Sequence, residues 1–120
     1  MAGVKHGDIS FLELYDDYII VVYLQIEDLG FCAKGDLGFF ERTDFTINGQ
    51  LPIQTGGGMI NCGQPSTSGG TIHMIEAVRQ LRGEAHPKVQ VQNCDLAIAH
   101  GTGGLLGVRH AASTCILERV

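Results

Sequence analysis

The chain has 120 residues, 44% of them apolar, and a net charge of −5 at neutral pH. That is enough for one domain with a modest core and too apolar for a disordered tail. Its eight Lys and Arg are scattered and form no basic stripe, which argues against nucleic acid as a partner.

In chain order, Asp8-Ile9-Ser10-Phe11-Leu12-Glu13-Leu14 reads as a short buried strand. Asp16 then marks a helix start, with the Asp16-Asp17 pair suited to the positive end of the dipole. Tyr18–Leu24 is rich in β-branched residues, so propensity alone favours a strand. The cap signal and Gly30 as a stop predict a helix over 18–29 instead. Residues 35–52 read as loop and short strand. Glycine then dominates from Thr55 to Gly70, as in a backbone that needs unusual dihedrals or close approach to something.

The periodicity predicts an amphipathic helix over Thr71–Arg82. Ile72, Ile75, Val78 and Leu81 recur at spacing three, and Gly83 ends it. A glycine-rich loop feeding a helix N-terminus is a natural seat for an anion or a developing oxyanion. After a polar connection at 84–93, Asp95–Ala99 reads as a buried strand. His100-Gly101-Thr102-Gly103-Gly104 follows as a second glycine-rich turn, and Arg109–Glu118 as a last strand. The expectation is an α/β domain over residues 1–120 with two main helices, a mixed sheet and an antiparallel final pair of strands.

The cysteines at 32, 62, 94 and 115 form no CxxC pair and read as small hydrophobes or unremarkable thiols. No spacing suggests a metal, and His73 and His110 read as surface or core histidines. The start, MAGVKHGDIS, has no apolar leader. The longest apolar run, Ile19 to Leu24, is far below the roughly 20 residues that span a bilayer. A soluble, cytoplasmic protein without bound metal or cofactor is expected.

Six segments in series resemble the C-terminal domain of thiolases, in particular the sterol-carrier-protein type and the related lipid-transfer-protein group. They are Ala2-Gly3-Val4 with Asp8-Ile9, then Glu13-Leu14-Tyr15-Asp16-Asp17-Tyr18, then Glu27-Asp28-Leu29-Gly30-Phe31-Cys32. Gly49-Gln50-Leu51-Pro52-Ile53-Gln54-Thr55-Gly56-Gly57, Glu76-Ala77-Val78-Arg79-Gln80-Leu81-Arg82-Gly83 and His100-Gly101-Thr102-Gly103-Gly104 complete the series. The order and spacing of the whole set carry the resemblance, since a lone glycine turn is weak.

The resemblance implies acyl-CoA thioester chemistry and a site with departures from the family pattern. The family's nucleophilic cysteine belongs to an N-terminal half, and no cysteine here sits in a similar context. The family's Gly-His-Pro loop reads Gly63-Gln64-Pro65, and glutamine takes no proton near neutral pH. Gln64 is either a retained amide that orients water or a thioester carbonyl, or the remnant of a decayed site. The family's His-Asp-Cys-Phe reads Tyr15-Asp16-Asp17-Tyr18, placing Tyr15 at the oxyanion histidine and Asp17 at the acid/base cysteine. Each is equally readable as packing or helix-end electrostatics. His100 lines the site or bonds the backbone, and Tyr15, Asp17, Gln64 and His100 are expected to converge on one concave mouth, because loops at the carboxyl ends of strands gather on one edge of an α/β sheet. Gly63, Gly101 and Gly103 are the backbone positions expected against ligand.

Two functions follow as expectations. One is a thiolase-like domain or subunit performing acyl transfer or retro-aldol cleavage once a partner supplies the N-terminal half. It is inactive alone. The alternative is a non-catalytic binding or scaffolding module with a degenerate site. Self-association or binding of a partner is expected, through an apolar face left uncovered on the helix 71–82 region or the Tyr18–Leu29 segment.

Overall fold

A computed structural model describes residues 2–103 and 111–120. Three strands, β1 (Phe11–Leu14), β2 (Leu96–Gly103) and β3 (Ala111–Glu118), form one mixed sheet in that order. β1 and β2 are parallel, with Phe11 opposite Ala97 and Leu14 opposite His100. β2 and β3 are antiparallel, from Leu96 opposite Glu118 to Gly103 opposite Ala111. Parallel neighbours need a long crossover, and four helices supply it: α1 (Ile19–Asp28), α2 (Leu37–Arg42), α3 (Gly58–Cys62) and α4 (Gly69–Arg82).

The strand pleat sends alternate side chains to opposite faces. Leu12 and Leu14 share one face with Ile98 and pack with Val22 and Ile26 of α1. Phe11 lies on the other face and packs with Ala97, Ala99 and with Ala77 and Leu81 of α4. The sheet is therefore clasped between α1 and α4. This agrees with the expected α/β architecture and with the antiparallel last pair.

The helix over 18–29 forms despite its β-branched run. Val21, Val22, Gln25 and Ile26 recur on one face and are buried, and that packing outweighs local propensity. Gly30 follows the last turn with φ +85°. The expected cap does not hold. α1 is preceded by Tyr18, which makes no side-chain cap bond. Asp16 instead turns inward, where its Oδ1 accepts from Met59 N of α3 at 2.8 Å. A buried carboxylate needs donors, and the open N-terminus of α3 provides them.

Three further expectations are corrected. Residues 35–52 contain α2, whose Asp36 accepts from Phe39 N at 3.0 Å and pairs with Arg42 at 2.9 Å. Its Phe39 and Phe40 pack beside the α1-side core. His100-Gly101-Thr102-Gly103 is strand, not turn, because the ladder to β3 continues through Gly103. Gly104, Arg109 and His110, expected in that turn and the following strand, lie outside the described residues. On α4 only Leu81 of the expected apolar stripe is buried. Ile75 and Val78 are exposed, while His73, Glu76, Ala77, Gln80 and Leu81 are buried. No helix among the described residues is long and apolar enough to cross a membrane.

Candidate functional site

Tyr15 follows directly on β1, and its backbone continues the strand. Its N–H donates to His100 O at 2.9 Å and approaches Gln25 Oε1 at 3.1 Å. The Gln25 amide in turn donates to Tyr15 O at 2.6 Å and to Val21 O at 2.9 Å. This buried glutamine of α1 thus fixes where the strand hands over to the helix. The half-buried phenol of Tyr15 reaches across to the glycine-rich loop, where the Gln64 amide donates to its Oη at 2.9 Å.

The pair sits over the first residue of α4. A Cβ added to Gly69 would lie 2.6 Å from Gln64 Oε1 and from Met59 Sδ, and 3.4 Å from Tyr15 Cε2. The glycine lets the Gln64 amide and the Met59 sulfur lie this close to the helix, while the Tyr15 ring stands at ordinary contact distance. At Gly58, φ is +62° and a Cβ would run into the Asp16 carboxylate, so the loop is also tied to the residue after Tyr15.

Beneath the pair lies a buried polar network that the sequence reading missed. His73 of α4 lies with Nδ1 3.4 Å from Glu13 Oε2 and Nε2 3.3 Å from Asp16 Oδ1. Its ring centroid is 6.4 Å from that of Tyr15. Glu13 Oε1 accepts from Thr55 N at 2.9 Å and lies 2.7 Å from Thr55 Oγ1, which is 3.0 Å from Glu76 Oε1. Gln80 completes the chain by donating to Glu76 Oε1 at 2.9 Å. Charged groups are buried only when paired and bonded, and this set links β1, the glycine-rich loop and α4. A signal was present. Glu13 interrupts an apolar strand, and His73, Glu76 and Gln80 share one helical face at spacings of three and four.

The other expected residues distribute differently. Asp17 is half-buried between Asp16 and α1. His100 is 9% exposed and pairs in register with Leu14, so its side chain belongs to the α1 face, away from Tyr15 and Gln64. Its Nδ1 lies 2.7 Å from Thr114 Oγ1 of β3. Burial holds its pKa below the usual histidine value, against a smaller opposing pull from Asp28. Gly101 and Gly103 lie within β2, and a Cβ at either would meet no protein atom within 4 Å. Gly63 has φ +103°, which sets the turn into Gln64. Among the described residues, no group of three or more His, Cys, Asp or Glu is arranged to hold a metal ion.

The arrangement places a phenol and an amide side by side at the start of a 14-residue helix, backed by a rigid polar core. Such a pair can move a proton to or from a substrate oxygen and hold the charge that develops there.

Comparison with known proteins agrees with this architecture. The family model described as thiolase C-terminal domain-like matches residues 1–119. An acetyl-CoA acetyltransferase of Methanothermobacter thermautotrophicus is 39% identical over 108 residues, covering 89% of this chain and 28% of that protein. Sterol carrier protein 2 of Bos taurus is 35% identical over 103 residues, covering 85% of this chain and 19% of that protein. Among solved structures, an Ltp2-ChsH2(DUF35) aldolase superposes with a TM-score of 0.77 at 30% identity, covering 98% of this chain and 28% of its own. The chain spans from about a fifth to just over a quarter of the length of these curated relatives. From its first strand to its last, this chain belongs to the thiolase C-terminal-domain family.

Proposed function

We infer that the chain is the C-terminal part of a thiolase-fold enzyme acting on acyl-CoA thioesters, completed by a partner that supplies the N-terminal half. Retro-aldol cleavage is favoured over thiolysis. The observation that carries this reading is the Gln64 to Tyr15 hydrogen bond at 2.9 Å, at the place where the family pattern has two histidines. Neither residue is a base of the imidazole kind, so activation of a thiol by this half is not available. A phenol and an amide do suit a hydroxyacyl thioester. In that reaction a base takes the β-hydroxyl proton and a carbonyl forms at the β-carbon. The Cα–Cβ bond breaks, its electron pair passes into the thioester enolate, and the enolate is protonated at Cα. Tyr15 is assigned the proton transfer, and Gln64 supports the phenol oxygen. Asp17 is proposed as a supporting group where β1 hands over to α1, and Gly63 as the turn that presents Gln64; His100, on the other face of the sheet, is left out of the chemistry.

The partner is inferred from α4. Ile75 and Val78 are exposed on the face turned away from the sheet. A cavity of about 290 Å³ beside them is lined by Ile72, Ile75, Arg79 and Cys62. An apolar helix face next to a catalytic loop is what a second half-domain covers.

The test is reconstitution with an N-terminal half and assay of hydroxyacyl-CoA cleavage alongside acyl transfer. Tyr15→Phe is expected to lower kcat by about 10²–10⁴ with little change in binding. Full activity in that variant removes Tyr15 from the chemistry. No turnover of either reaction by an assembled complex favours the non-catalytic module.

A further inference from the structure

β1 has a second neighbour on the edge away from β2. Residues 52–54 run parallel to it there, with Leu12 bridged to Ile53. Leu12 N donates to Pro52 O at 2.9 Å, and Gln54 N donates to Leu12 O at 3.1 Å. The next bonds of a parallel ladder would join Leu14 N to Gln54 O, and the N–H of residue 56 to Leu14 O. The main chain leaves instead. Gln54 takes a left-handed φ of +51° and turns its carbonyl to accept from Gly57 N at 2.8 Å. Its side chain then fills both places on Leu14. Gln54 Oε1 accepts from Leu14 N at 2.7 Å, and Nε2 donates to Leu14 O at 2.6 Å. A primary amide carries the donor and the acceptor of a peptide unit, so the strand end stays paired while the loop departs. Positive φ outside glycine is uncommon, and here the pairing on Leu14 holds it in place.

We propose that Gln54 is a positioning residue for Tyr15: it ends the ladder at a set place, so that the glycine-rich loop brings Gln64 onto the phenol. For its catalytic consequence this rests on the reading of Tyr15 given above. The loop is tied to the three residues around Tyr15. Thr55 N donates to Glu13 Oε1 at 2.9 Å, the Gln54 amide holds Leu14, and Met59 N donates to Asp16 Oδ1 at 2.8 Å. The loop also passes close over the amide, since a Cβ on Gly58 would lie 2.8 Å from Gln54 Nε2. The phenol therefore meets Gln64 at 2.9 Å only while the loop keeps this register on β1. Of the three ties, that of Gln54 alone uses no carboxyl group, so it can be loosened without unpairing a buried acid. The Gln25 amide does the same for the main chain of Tyr15 from the α1 side, but it does not touch the loop. Gln54 is the tie that couples the two halves of the pair.

Tyrosine labelled with carbon-13 at Cζ reports the hydrogen bond at each phenol, and Tyr15→Phe assigns the Tyr15 resonance among the three tyrosines of the chain. Gln64→Ala is expected to shift that resonance. Gln54→Met keeps the side-chain length, removes both amide bonds, and is expected to shift it the same way with Gln64 still present. The double variant is expected to shift it no further. Gln54→Asn keeps the amide on a shorter stem that reaches only one Leu14 group. It is expected to give a smaller shift in the same direction, and it serves where the methionine variant does not fold. The resonance needs no turnover, so an inactive complex or a fully active Tyr15→Phe variant sinks the catalytic reading without deciding this one. In the reconstituted complex, Gln54→Met is expected to lower kcat by about 10- to 100-fold with KM unchanged, and Gln64→Ala to add nothing in that background. A Gln54 that served the fold alone would lower the unfolding midpoint and leave the Tyr15 resonance in place. That result overturns the proposal, as does a Gln64→Ala shift that adds in full to that of Gln54→Met.

Discussion

The two faces of the sheet solve the same problem by opposite means. On the α1 side, Leu12, Leu14, Ile98 and Ile26 make an ordinary apolar layer. On the α4 side, an apolar layer of Phe11, Ala77, Ala97 and Leu81 gives way, toward Tyr15, to Glu13, Asp16, His73 and Glu76. Apolar packing is tolerant of small shifts, whereas a bonded network holds its members at set distances. The rigid arrangement lies directly under Tyr15 and the loop that carries Gln64. The difference teaches where this domain needs precision.

The sharpest way to break the comparison is His73→Leu. It removes the ring that lies between Glu13 Oε2 and Asp16 Oδ1 and is expected to cost roughly 1–3 kcal/mol for each buried acceptor it orphans, read by denaturant unfolding. A loss below about 1 kcal/mol would mean that the network is not structural. On the other face, Leu14→Ala is expected to cost about 2–5 kcal/mol through the cavity it opens, while Tyr15 keeps its hydrogen bond to Gln64. The two variants differ most in activity per folded complex, which should fall with His73→Leu and hold with Leu14→Ala.

A smaller effect separates the faces by pH. His100 on the α1 side has its pKa lowered by burial, so the folded state binds fewer protons there than the unfolded chain. Its contribution to stability is present above pH 6.5 and is lost as pH falls below it. His100→Asn should remove that part of the slope, read as the difference between wild-type and variant unfolding midpoints across the range. An unchanged slope would place the titration elsewhere. Next, Asp36→Ala removes the cap of α2 and should cost about 1 kcal/mol without touching the site. The smallest effect is that of Ile75→Lys on the isolated chain, within about 0.5 kcal/mol, because the residue is exposed.

Much of this was legible in the sequence. The helix over Thr71–Arg82 and the antiparallel final strands follow from period, length and stop signals, and the strand read over Asp8–Leu14 forms over Phe11–Leu14, with Asp8 in a 3-10 turn before it. The meeting of Tyr15 with Gln64 followed from reading loops at the carboxyl ends of strands as neighbours. His100 did not join them. A loop position fixes which edge of the sheet a residue reaches, but the pleat fixes which face it takes, and His100 falls in register with Leu14. The turn expected at His100–Gly103 failed for a related reason. Glycine weakens a strand locally, yet an eight-residue ladder to β3 carries it through.

The sequence by itself determined the two long helices, the main strands and their order, and the chemical departures at Tyr15 and Gln64, because these depend on residue identity and local period. Tertiary structure alone decided which side of each helix is the inside. On α4 the isoleucine and valine stripe at spacing three reads as core, yet Ile75 and Val78 face water while His73, Glu76 and Gln80 are buried against the sheet. On α1 both sides are apolar, and only contact with Leu12 and Leu14 selects one. The hydrophobic effect is non-directional, so a stripe states that it will be covered without stating by what. Glu13 on the strand and Asp16 just beyond its end supplied partners that make the polar side of α4 the inner one.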